Sequence, residues 1–146
     1  MTAPVFVDTN VFIYALDKAD PRKHQSAQMW KAELWKSRRG RISFQVIHEF
    51  YARTIQKWPA LRLEVRSATR DLLEWHPIVM DSEILETAWG IHDGYKISFW
   101  DALIVAAAKA ASCRYLLTED LQADQELDGV VVVNPFRSGP SDISGA

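Results

Sequence analysis

The chain has 146 residues, 48% of them hydrophobic, which suits a soluble globular chain with a real core and predicts one domain. Seventeen Lys and Arg against nineteen Asp and Glu leave a net charge of −2, so the overall field is not that of a general nucleic-acid binder, and any nucleic acid has to be engaged locally. Cys113 is the only cysteine, which excludes an internal disulfide and a thiolate metal cluster; its small, apolar neighbours mark it as an inert core residue.

Val5-Phe6-Val7 is an apolar run without strand-type alternation, as expected of a strand buried on both faces of a parallel sheet, and it ends in Asp8-Thr9-Asn10. Val11 to Leu16 form a short predicted helix. A longer one follows, with Asp20 as N-cap, Pro21 at its first position, and Ala27, Trp30 and Leu34 on one apolar stripe. Gly40 ends it, and Arg41 to Phe44 read as a second strand. The basic cluster Lys36, Arg38, Arg39 and Arg41, with Arg22 and Lys23 at the other end of the helix, reads as solvated helix termini.

Residues 45–57 are predicted helical, with Val46, Ile47, Phe50 and Tyr51 on one side and Trp58-Pro59 as the break. Leu61 to Trp75 form a charged amphipathic helix, and His76 to Met80 a third strand with Pro77 near its start. Asp81 to about Asp93 are helical again, stopping at Gly94. Ser98 to Ala111 are the most apolar helix of the chain. Tyr115 to Leu117 and Val130 to Val133 are the fourth and fifth strands, with Asp128-Gly129 as a turn between them. Residues 138–146 are rich in Ser, Gly and Pro and are expected to lack fixed structure, leaving residues 1–137 as the folded domain. Strands alternating with helices imply an α/β domain in three layers, α/β/α, around a mainly parallel sheet of about five strands. No stretch has the pattern of a secretory signal or a membrane span, so the expected location is cytoplasmic.

In a parallel α/β unit each strand runs to its carboxyl edge and the following helix starts there. Asp8 follows the first strand, and Glu119 and Asp120 follow the fourth. Glu49 lies near the start of the helix after the second strand, and Asp101 in the first turn of the helix leading to the fourth. Carboxylates from four parts of the chain thus meet at one sheet edge, where ligands of open α/β folds bind. Crowding that much negative charge is costly unless protons or cations compensate. Oxygen ligands without His or Cys select Mg²⁺ or Mn²⁺, and phosphodiester hydrolysis is the chemistry such an ion serves. Each acid also has a plainer reading. Asp8 could cap the helix that follows it, Ser98-Phe99-Trp100-Asp101 matches a capping box, Glu49 could be a solvated helix residue and Asp120 a turn residue. His24, His48, His76 and His92 show no ligand spacing.

Val7-Asp8-Thr9-Asn10, Ile42 to Phe50 around Glu49, Ser98-Phe99-Trp100-Asp101-Ala102-Leu103-Ile104 and Leu116 to Gln122 resemble, in order, the motifs of the PIN-domain family, and within it the VapC-type toxin ribonucleases of toxin–antitoxin modules. The resemblance implies a Mg²⁺- or Mn²⁺-dependent ribonuclease held inactive by a cognate antitoxin. It carries the family's acidic positions onto Asp8, Glu49, Asp101 and Asp120, the last in preference to Glu119, and supporting polar positions onto Asn10 and Ser98. With the surplus of aromatics, it also implies a homodimer and an antitoxin segment lying across an apolar groove. A haloacid-dehalogenase-like phosphatase would need a second Asp where Asn10 stands, and a receiver domain leaves most of the acids unexplained. A noncatalytic PIN-like module binding RNA or protein is the alternative, with Trp30, Trp35, Trp58 and Trp89 as candidates for an exposed aromatic surface.

Overall fold

The computed structural model describes residues 3–143. Five strands form one sheet: β1 (Val5–Val7), β2 (Gly40–Arg41), β3 (Tyr115–Leu117), β4 (Glu126–Leu127) and β5 (Val130–Val133). Their order is β2-β1-β3-β5-β4, and all pairs are parallel except β4 with β5. Six α-helices accompany them among the described residues: α1 (Thr9–Leu16), α2 (Pro21–Ser37), α3 (Phe44–Lys57), α4 (Arg62–Asp71), α5 (Ser82–Gly94) and α6 (Phe99–Ala110).

The chain leaves β1 to one side, through α1 and α2, to reach β2, then crosses back to the other side of β1 to form β3. Right-handed crossovers in opposite directions place the two helix groups on opposite faces of the sheet, giving the three layers. The strand order therefore reverses between β1 and β3. Every residue of β1 is buried, as is the run Val105 to Ala108 of α6, whose small side chains let the helix approach closely. Trp30, Phe6, Phe12 and Phe50 are the largest fully buried side chains.

The expected third strand at 76–80 is reduced to a single parallel bridge between Ser43 and Ile78. His76 takes a left-handed conformation, with φ 52°, and Pro77 has no N–H to donate, so only Ile78 pairs. The fifth sheet position is instead filled by β4, which returns on β5 through Asp128 and Gly129, at φ 52° and 92°, the two positive angles a tight hairpin turn requires. The helix expected over 61–75 is broken in two, because its last four residues, Leu72–Trp75, tighten into a 3₁₀ turn. The stretch from Ser138, expected to lack fixed structure, is tied down as far as Ile143. The Trp30 indole N–H donates to the carbonyls of Pro135 and Ser138, and Pro140–Asp142 form a 3₁₀ turn. The rest of that tail lies outside the described residues. Among those residues no helix is long and apolar enough to cross a membrane.

Candidate active site

Asp8 leaves the end of β1 and caps α1. Its Oδ1 accepts from the Thr9 backbone N–H at 2.7 Å, and its Oδ2 accepts from the Thr118 hydroxyl at 2.8 Å. Thr118 stands directly after β3, so this bond spans the point where the strand order reverses. The hydroxyl of Thr118 also accepts from Asn10 Nδ2 at 3.1 Å and from the Asp120 backbone N–H at 3.1 Å. One buried threonine thus joins three of the polar groups at the sheet edge. Asn10 Nδ2 additionally donates to Asp120 Oδ2 at 3.2 Å.

Glu49 reaches the same edge from α3. Its Oε1 accepts from the Thr9 hydroxyl at 3.0 Å and its Oε2 from Gln45 Nε2 at 3.4 Å. Asp101 arrives on the first turn of α6, and its backbone N–H donates to Ser98 Oγ at 3.1 Å. The plainer reading of Ser98 is therefore realised, since its hydroxyl is the N-cap of α6. The Ser98 side chain also bonds the Asp101 carboxylate, which meets the other acids from the cap. Asp8 likewise caps a helix with one oxygen and faces the other acids with the remainder of its carboxylate.

Glu49 and Asp120 act on both Asp8 and Asp101. Burial pushes the Asp8 carboxyl up to about 7, against the hydrogen bonds from Thr118 and Thr9, and repulsion from Asp120 and Glu49 adds to the rise. Burial also raises Asp101, opposed by Ser98 and reinforced by repulsion from Asp120 and Glu49. Asp8, Glu49, Asp101 and Asp120 consequently share one electrostatic neighbourhood. Glu119 does not belong to it. Its Oε2 accepts from Lys23 Nζ at 2.7 Å, and the ammonium also lies 4.9 Å and 5.1 Å from the ring centres of Tyr14 and Phe136.

Thr118, Thr9 and Gln45 are the polar partners that sequence reasoning missed. Thr118 lies two residues before Asp120 inside the motif around it, which was the available signal.

The donor set is carboxylate oxygen throughout, the chemistry that suits a hard divalent cation. Asn10 Oδ1 is buried with no hydrogen-bond partner, an acceptor beside the acids that a ligand water would satisfy. The residues therefore fit a divalent ion, although among the described residues no three acidic, His or Cys side chains are drawn together closely enough to enclose one.

Beside the acids a cavity of about 750 Å³ opens, lined by Gln45 and Glu49 together with Phe44, His48, Val79 and Trp100. Of the tryptophans considered for an aromatic surface, Trp30 is fully buried and Trp58 partly so, while Trp35 and Trp89 are exposed. The most exposed tryptophan is Trp100, at 64%.

The family model of the PIN domain matches residues 5–125, which include all four acids. No curated protein matches the chain. Among solved structures, a toxin–antitoxin complex from Klebsiella pneumoniae is 21% identical with a TM-score of 0.62, over 90% of this chain and 97% of that one. VapC20 of Mycobacterium tuberculosis, a toxin that cleaves the sarcin–ricin loop, is 22% identical with a TM-score of 0.57, over 77% and 86%. VapBC2 of Rickettsia felis, bound to a DNA fragment of its promoter, is 17% identical with a TM-score of 0.61, over 88% and 96%. At these identities the structures share the fold, and the match along 5–125 assigns the family: the chain belongs to the PIN domain family.

Proposed function

We propose that the chain is a VapC-type toxin, a ribonuclease that hydrolyses RNA phosphodiesters with a divalent ion at the edge formed by Asp8, Glu49, Asp101 and Asp120. The observation that carries this reading is the convergence of four acids from four parts of the chain, Glu49 and Asp120 each repelling both Asp8 and Asp101, at the point where the strand order reverses. The likeness to VapC20 supports RNA as the substrate class, and the two complexes support an antitoxin partner.

Asp8, Glu49 and Asp101 would hold Mg²⁺ or Mn²⁺, with Asp120 supporting a second ion or a ligand water. When bound, the ion supplies Lewis-acid chemistry, easing loss of a proton from water and neutralising charge on the phosphodiester. The chain's own residues prepare that site. Thr118 fixes one oxygen of Asp8, Thr9 fixes one oxygen of Glu49, and Asn10 aims Asp120. The Asn10 Oδ1 acceptor orients water at the acids. A single domain, a cytoplasmic location and a homodimer complete the reading. Sedimentation of the isolated chain as a monomer at micromolar concentration would count against the homodimer.

The test is end-mapped cleavage of total cellular RNA by the purified chain with Mg²⁺ or Mn²⁺. Discrete cuts that vanish with EDTA and in Asp8→Asn are expected. Undiminished cutting by folded Asp8→Asn would remove the site, and absence of any cut would favour the noncatalytic binding module.

A further inference from the structure

We propose that the cavity beside the acids is a nucleobase pocket in which Trp100 stacks on a base of the strand whose phosphate faces Asp101. The inference rests on the ribonuclease reading above and adds to it the residue that holds the base.

Trp100 immediately precedes Asp101 at the start of α6, and the residue is 64% exposed. A tryptophan of that exposure next to a site acid is not serving the core. It is nevertheless held in place. The Trp100 carbonyl accepts from Gln45 Nε2 at 3.3 Å, and its ring packs edge-on against Phe99 with centres 5.6 Å apart. Phe99 is backed in turn by His92 at 6.1 Å. A platform fixed before binding loses little freedom when a flat ring settles on it.

Gln45 supplies the independent sign of a ligand. It is 8% exposed and lines the cavity, and its Oε1 is a buried acceptor with no hydrogen-bond partner. A base N–H donor would satisfy it. The other walls suit a ring with polar edges, since Phe44 and Val79 are apolar and His48 is exposed. Gln45 and Glu49 belong both to this cavity and to the acidic edge. The pocket is therefore continuous with the place where a phosphodiester would lie, and a base joined to that phosphate falls within its reach. Base–aromatic stacking tolerates any base, because each has a π face. The pocket would then add affinity without choosing the RNA.

The test uses fluorescein-labelled hexaadenylate and an abasic ribose-phosphate hexamer, titrated in EDTA and read by anisotropy, with the Asp8→Asn chain so that neither strand is cut. The parent is expected to bind hexaadenylate more tightly than the abasic strand. Adding Trp100→Ala should weaken hexaadenylate by roughly 5- to 100-fold, the range of one stacked base, and leave the abasic strand unchanged. Trp100→Phe should restore most of the affinity. Equal binding of hexaadenylate by the parent and Trp100→Ala would overturn the pocket. The nuclease reading would stand, because cleavage by the chain with Asp8 intact is scored separately. A parent that binds neither strand, together with an intact chain that cuts no RNA, would overturn both.

Discussion

Both oxygens of Asp8 accept hydrogen bonds from the protein, an arrangement suited to an anion, while burial favours the neutral acid and raises its pKa from 3.8 to about 7. Between those two values the folded chain binds a proton that the unfolded chain has lost. Stability should therefore be highest below about pH 4 as far as this group is concerned, and fall as the pH rises toward 7. A shift of this size corresponds to about 4 kcal/mol at most. Thermal melts in chelator should show a lower Tm at pH 8 than at pH 5, with a shallower fall in Asp8→Asn; a pH-independent wild type would contradict the burial argument. Thr118→Val leaves Asp8, Asn10 and the Asp120 N–H each short of a partner and should cost about 2 to 3 kcal/mol, readable by urea denaturation, with Thr118→Ser recovering most of it. Asn10→Ala should leave the fold in place and weaken metal binding or cleavage by roughly 10- to 100-fold, as loss of an outer-shell partner does. The four acids were legible in the sequence because their convergence follows from strand and helix polarity alone. The Thr118 junction was not, since its bond to Asn10 joins residues 108 apart and a lone threonine after a strand carries no periodic signal.

The elements themselves were read best where one physical cause dominated. The all-apolar β1 and the small-residue α6 come from burial, and α2 from its Asp20 cap and Pro21 start. Asp20 Oδ1 accepts from the Lys23 N–H at 3.1 Å. The 76–80 segment failed as a strand because an apolar run says nothing of the left-handed turn at His76 that isolates Ile78. β4 was missed because two residues with alternating exposure cannot be told from a loop until β5 lies beside them. Gly40 has a role not evident from its place after a helix. A Cβ there would lie 2.1 Å from Trp75 Cζ3, so the edge strand passes directly over that indole. Gly40→Ala should destabilise by about 1 to 3 kcal/mol through overpacking, seen as a lower urea midpoint with an unchanged slope.

At the scale of the whole molecule, a chain of net charge −2 gathers four acids at one edge of its sheet and leaves an exposed indole beside them. Composition therefore gave no hint of a partner, while topology brought the four acids to one edge. The surface of aromatics was only partly legible, because helical spacing separates a buried face from a wet one but does not tell which neighbouring element covers the remainder. Trp30 lies under the carboxyl-terminal turn, whereas Trp89 and Trp100 lie open. The central claim is that Asp8, Glu49 and Asp101 hold the ion with Asp120 in support, and a calorimetric titration of the folded chain with Mn²⁺ at pH 8 addresses it most directly. Saturable binding in the wild type that disappears in both Asp8→Asn and Asp101→Asn is the result this account predicts. Binding that persists undiminished in both variants, or a wild-type chain that takes up no Mn²⁺ at all, would contradict it.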